Sequence, residues 1–364
     1  MSLSEANISG HHIIVRIDEP SLSIETRDFL QSVRPVGVHF GRNAFLAEEP
    51  YPVWLKQLAS LRNEILEATG HQKMIWALDH EGGRVIRTPL PITRFPYALN
   101  WRGESEAVGT AMARELSSLG INLSFAPCLD IFSNPNNAVI GPRSFGRTVT
   151  EVCQRGRDFI RSLEKGGVVA TAKHFPGHGD TLEDSHFELP SLLLTTNDLL
   201  EREIIPFLSS SDIELKVIML AHILFPTIDE HYPASLSRIL AYDLLRERLG
   251  YTGISITDDL DMKAIAGRFS PAEIAHQLIR SDVNFALFNH SLTHAADVAS
   301  EIDLLLQDFQ RDGSRITEKN REFIQELPAN DISTLSEETF QQHAQLARQI
   351  GEHFSITIKE FTGA

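Results

Sequence analysis

GVVATAKHFPGHGD, residues 167–180, shows in one stretch how the whole chain is built. It begins as a short valine-bearing apolar run, the signature of a strand covered on both faces. It then breaks into histidines, glycines and an aspartate. The same switch recurs along the sequence. Eight such runs stand out: HIIVRI (12–17), VGVHF (36–40), MIWAL (74–78), INLSFAP (121–127), GVVATAKHF (167–175), LKVIMLAHI (215–223), GISIT (253–257) and VNFALFN (283–289). Longer segments with helical spacing lie between and after them. YPVWLKQLASLRNEILEATG stops at a glycine, and in LTHAADVASEIDLLLQDF the residues Val298, Ile302, Leu305 and Phe309 fall on one helical face. Eight strand–helix units predict an α/β fold of the TIM-type (β/α)8 barrel kind. A doubly wound open sheet is the rival, because it too alternates buried strands with helices, and the count of eight favours the barrel.

Composition narrows the function. The chain has 364 residues, of which 42% are hydrophobic and 23% charged, as expected of a globular protein with a substantial core. Its 33 Lys and Arg against 49 Asp and Glu give a formal charge of −16, which repels nucleic-acid phosphates and anionic lipid, so neither nucleic acid nor membrane is expected as a partner. Only Cys128 and Cys153 occur, without CxxC spacing. The N-terminus lacks a basic segment leading into a long apolar one, and no run of about 18 apolar residues appears. A reducing, cytoplasmic setting is the expectation.

A barrel places its active site at the C-terminal ends of its strands. Titratable residues do gather there: MIWAL runs into DHEGGR, FAP into CLDIF, GVVATA into KHFPGHGD, IML into AH, and GISIT into DDLDM. Any one of these residues is as well explained as a helix cap or a turn. Five strand ends together are not. Asp79, Asp130, Asp258 and Asp259 are candidate nucleophiles or bases, and Arg84, Arg87, Arg143 and Lys173 candidate grips for polar substrate groups. HFPGHGD has neither a P-loop ending nor a GxGxxG arrangement. A zinc site drawing on His174, His178, His186 and His222 stays open as a minority reading, although no HExxH or HxH spacing supports it.

Taken in order, these segments resemble glycoside hydrolase family 3, in particular its NagZ-type single-domain β-N-acetylglucosaminidases. DHEGGRVIR is similar to the family's DQEGGRVxR, FAPCLDI to its FAPVxD segment, and AVIGPRSFG to its IGxRSF element. AKHFPGHGDTLEDSH is similar to its KHFPGHGDTxxDSH loop, and ITDDLDM to its [ST]DxLxM nucleophile motif. The resemblance implies a retaining exo-β-N-acetylglucosaminidase acting on small carbohydrate substrates, with muropeptides from peptidoglycan recycling as the source. It makes Asp258 the nucleophile and His186, paired with Asp184, the acid and then the base. An imidazole suits that exchange because its ordinary pKa lies near neutrality. Asp79, Arg87, Arg143, Lys173 and His174 match sugar-binding positions, and His178 and Asp180 shape the loop. No cofactor and no metal are implied.

Between Asp258 and Asp259 the family motif selects the first. Alternation along a strand adds that only one of the two should face the barrel axis. Two departures stand out: His80 replaces a glutamine beside Asp79, and IRSDVNFALFNHS lacks the family's glycine-alanine-aspartate run. One catalytic barrel domain over residues 1–364 is expected, with the barrel at about 10–312 and a helical extension at about 313–364. A β-N-acetylglucosaminide phosphorylase and a catalytically silent sugar-binding module remain as alternatives. The rim loops 88–104 and 224–235 are where an aglycone would be read.

Overall fold

A computed structural model describes residues 8–181, 189–208, 213–308 and 312–362. The eight apolar runs form eight parallel strands: β1 (Ile13–Ile17), β2 (Gly37–Phe40), β3 (Ile75–Leu78), β6 (Leu123–Ser124), β7 (Val169–Phe175), β8 (Val217–Leu220), β9 (Ile254–Asp259) and β10 (Phe285–Phe288). They lie side by side in chain order, and β1 pairs with β10 to close the barrel. The open sheet is thereby excluded. β6 is only two residues long because its pairing with β7 slips after Ser124: Val169 N–H donates to the Asn122 carbonyl but Thr171 N–H to that of Ala126, and Cys128 returns to pairing through an isolated bridge with Lys173. The run pattern gave no sign of a small antiparallel hairpin, β4 (His80–Gly82) with β5 (Val85–Ile86), that stands on the mouth immediately after β3.

Helices surround the barrel where the spacing placed them. Helix Tyr51–Thr69 ends at Gly70, whose φ of 68° is a left-handed conformation that favours glycine. Helix Pro271–Arg280 starts with a capping box, in which the Ser270 and Glu273 side chains each accept from the other residue's backbone N–H. On helix Leu292–Asp308, Val298 and Ile302 are buried and Leu305 partly so; Phe309 lies outside the described residues.

Two apolar zones follow. The larger fills the space between strands and helices. The smaller lies inside the barrel, where Ile14, Ile75, Leu123, Val217, Ile256 and Phe285 meet Ile324 and Leu327. The latter two come from helix Asp312–Glu326 and the residue after it. This helix seals the N-terminal end of the strands. Asn320 Nδ2 donates to the Asn284 carbonyl at 2.8 Å and to the His11 carbonyl at 2.9 Å, and His12 Nε2 meets Thr317 Oγ1 at 2.8 Å. Helix Glu337–Thr362 is tied to the barrel's side by His343, whose Nδ1 lies 2.7 Å from the buried Glu115 carboxylate. Among the described residues no helix is long and apolar enough to cross a membrane.

Candidate active site

With the floor closed, the strands open at their other end into a cavity of about 660 Å³. Its walls are charged. Asp79, directly after β3, and Glu81, on β4, point to the same side by the two-residue period of extended chain, while His80 between them is fully buried on the other side. Lys173 of β7 joins the two carboxylates: its Nζ lies 3.1 Å from Asp79 Oδ1 and 2.6 Å from Glu81 Oε1. Arg143 closes the network with a two-pronged contact, Nε to Glu81 Oε2 at 2.7 Å and Nη2 to Oε1 at 2.8 Å. Burial pushes the Glu81 carboxyl upward, but the Arg143 and Lys173 cations outweigh it and hold it down at about 2. Asp79 is likewise held well below the usual carboxylate range. Burial opposes this, and Lys173, His39 and Arg87 prevail. The Arg87 guanidinium stands 3.9 Å from Asp79, and His39 Nε2 stands 3.4 Å from it.

His174 is oriented from behind. Its Nδ1 lies 2.7 Å from Asp130 Oδ2, and Asp130 also accepts the backbone N–H groups of His174 and His178 and the Cys128 thiol at 3.1 Å. Cys128, Asp130 and His174 bring three potential metal-ligand atoms within 4.8 Å of one another. Their chemistry fits a hydrogen-bonded support better than a zinc site. The carboxylate is already engaged by four donors, among them the His174 ring and the Cys128 thiol, the very groups that would have to turn to an ion. His222 is also engaged at both ring nitrogens, with Ser235 Oγ at 2.7 Å and the Asp259 carbonyl at 2.9 Å.

The two acids at the end of β9 differ. Asp258 sits below the ordinary carboxylate range: burial works against this, and the imidazoles of His222 and His174, the Asp259 backbone N–H at 2.8 Å and the Lys173 cation outweigh it. Asp259 is raised to about 7 by burial and by the neighbouring Asp261 and Asp258 charges. Its Oδ1 accepts the Asp261 and Asn289 N–H groups, each at 3.0 Å, and its Oδ2 faces His290 Nε2 at 3.3 Å. The expectation from strand alternation needs correction, because both acids line the cavity. The pairing of β9 with β10 slips between Phe285 and Leu287, and this bulge turns the second acid inward as well.

Asp79, Arg87, Arg143, Lys173, His174 and Asp258 therefore share one cavity, with Arg84 and His178 also on its walls. Asp180 stands off it, bonded to Ser133 and Arg202. Asp184 and His186 lie outside the described residues. Glu81 and His39 are central to the geometry and were given no role from the sequence. The two-residue period would have put Glu81 beside Asp79, and His39 was visible as a lone polar residue in an apolar run.

Residues 53–318 match the family described as glycosyl hydrolase family 3, N-terminal domain. The chain belongs to that family. It is 36% identical over 267 residues to a beta-hexosaminidase of Methylococcus capsulatus, an alignment covering 70% of this chain and 76% of that protein. It is 35% identical over 267 residues to the beta-hexosaminidase A of Pseudoalteromonas piscicida, covering 66% of this chain but only 45% of that one. Among solved structures, a family 3 β-N-acetylglucosaminidase from a Paenibacillus species superposes with a TM-score of 0.84 at 29% identity, over 96% of this chain and 69% of the other. The family 3 barrel is thus the frame on which this cavity is built.

Proposed function

We propose that the protein is a retaining exo-β-N-acetylglucosaminidase that removes terminal β-linked N-acetylglucosamine. The observation that carries the proposal is the placement of Asp258 in one cavity with the Asp79–Lys173–Glu81–Arg143 network. A low-pKa carboxylate is ready to act as a nucleophile at neutral pH, and a fixed array of donors and acceptors suits sugar hydroxyls, since a substrate that leaves them unpaired is penalised. Hexosaminidase names among the relatives point to the same sugar.

In the reaction, an Asp258 oxygen attacks the anomeric carbon as the bond to the leaving oxygen breaks. His186, steadied by Asp184, gives that oxygen its proton. Water then attacks the same carbon, His186 takes up the water's proton, and the Asp258 ester bond breaks, which restores the enzyme with retained configuration. Asp79 and Lys173 hold hydroxyls, Arg143 acts through Glu81 and His174 borders the reacting carbon. Two free cysteines suit a reducing, cytoplasmic compartment, and peptidoglycan-derived muropeptides are the proposed source of substrate.

The test is chromophore release from an aryl β-N-acetylglucosaminide beside the matching aryl β-glucoside, with and without phosphate and with and without a chelator. The proposal expects turnover of the first sugar only, indifferent to both additions. Phosphate-dependent formation of a sugar 1-phosphate would make the protein a phosphorylase, loss of activity to the chelator would revive a zinc mechanism, and binding without turnover would make it a sugar-binding module.

A further inference from the structure

The segment Gly177–Thr181, which leads into the residues where the sequence places Asp184 and His186, is gripped from two sides. From one side come Ser133, whose hydroxyl donates to Asp180, and Asn137, whose Nδ2 donates to the His178 and Gly179 carbonyls at 2.7 and 3.0 Å. From the other comes the helical turn after the loop. Arg202 bonds Asp180 through Nη2 and reaches the Glu203 carboxylate through Nε at 2.5 Å.

Glu203 itself is 2% exposed and lies against Gly177 so closely that a Cβ there would fall 2.7 Å from its own Cβ and 2.9 Å from its Oε2. The φ of Gly177, 144°, is also one that favours glycine. Glu203 Oε2 has no hydrogen-bond partner among the described residues. A buried carboxylate with one orphaned oxygen is costly to keep. Burial pushes its carboxyl up to about 7, Arg202 pulls the other way, and the Asp180 and Asp130 charges add to the rise. The charge on Glu203 therefore depends on Arg202, and Arg202 holds Asp180 at the same time.

We propose that Arg202 and Glu203 are positioning residues for catalysis: they clasp the root of the loop at Asp180 and Gly177 and so fix where the chain sets out toward the acid/base pair. This rests on the glycosidase reading above. Neither residue touches the sugar. Their effect is felt through the proton transfers that His186 makes, and it scales with how badly each step needs them.

The test compares wild type, His186→Ala, Arg202→Ala, Arg202→Lys and Glu203→Gln on two N-acetylglucosaminides, one with a poor alkoxide leaving group and one with a dinitrophenolate that departs without protonation. Melting temperatures confirm folding. Misplacing an acid/base by about 1 Å costs on the order of a hundredfold. Arg202→Ala and Glu203→Gln should accordingly lower kcat on the poor leaving group by about tenfold or more, with KM little changed. Bond cleavage on the dinitrophenyl substrate should be spared.

Azide needs no general base. It should speed the variants and give the β-glycosyl azide, its nitrogen bonding to the anomeric carbon as the Asp258 ester bond breaks. Arg202→Lys should recover most of the loss. If His186→Ala shows this pattern while folded Arg202→Ala and Glu203→Gln behave as wild type, or lose both substrates equally without azide rescue, the clasp is wrong and the glycosidase reading stands. If wild type turns over neither substrate, that reading falls and the clasp falls with it.

Discussion

The two ends of the barrel are built from opposite materials. At the floor, Leu327 and Ile324 plug the strands with hydrocarbon, and the buried polar groups beside them, Asn284, Asn320, His12 and Thr317, are uncharged and mutually bonded, while the plug helix's charged contacts, Arg315 with Asp282 and Lys319 with the Gly253 carbonyl, lie farther out. At the mouth, Asp79, Glu81, Lys173 and Arg143 are packed side by side with little water to screen them. Neutral hydrogen bonds and apolar contacts give stability at small electrostatic cost. A buried charge network gives little net stability but a strong, fixed field. The difference separates what holds the fold from what works on a ligand, and substitutions at the two ends should have different consequences.

The largest effect should come from the mouth. Asp258→Asn should lower turnover by about a thousandfold or more with only a modest fall in the melting temperature, because the fold favours the charged carboxylate over a neutral group there and the variant still folds. Kinetics and a thermal melt on one preparation check both halves.

Lys173→Met should break the contrast in a different way. It strands Asp79 and Glu81 without their shared cation, so activity should vanish and stability fall by about 3–5 kcal/mol, read by denaturant unfolding. At the floor, Leu327→Ala should cost about 2–5 kcal/mol by leaving a void, yet leave kcat and KM per folded molecule unchanged.

The smallest effect is shared by both ends. Burial holds His12 at the floor and His80 behind the mouth down at about 4 from 6.5. On acidification the unfolded chain takes up these protons first. The stability these two histidines contribute should therefore be lost between about pH 6.5 and 4, opposed over the same range by Asp259 and Glu203, which the fold holds up at about 7 and so protonates before the unfolded chain does. His80, whose two ring nitrogens lack hydrogen-bond partners among the described residues, should carry part of the loss, and His80→Gln should flatten the melting temperature over that window.

The barrel was legible because a strand buried on both faces must be apolar throughout, and each of the eight runs became one. The hairpin after β3 was not, since its residues belong to a motif that reads as a loop and the pairing of His80 with Ile86 is set by the chain's return, which no local pattern records. Most of the cavity was legible through motif resemblance: Asp79, Lys173 and Asp258 come together as expected. Glu81 needed the hairpin to give it a side. The inward turn of Asp259 needed a register slip that depends on β10, a strand that follows 26 residues after Asp259.

In the proposed mechanism Asp258, and not its neighbour, forms the bond to the sugar. Incubation with a fluorinated N-acetylglucosaminide that turns over slowly, followed by intact mass and fragmentation of the peptide over 254–262, tests it most directly. The expected result is one added glycosyl group on the Asp258 side chain, absent from Asp258→Asn and present in Asp259→Asn. A sugar on Asp259, or full turnover by Asp258→Asn with no adduct anywhere, would contradict it.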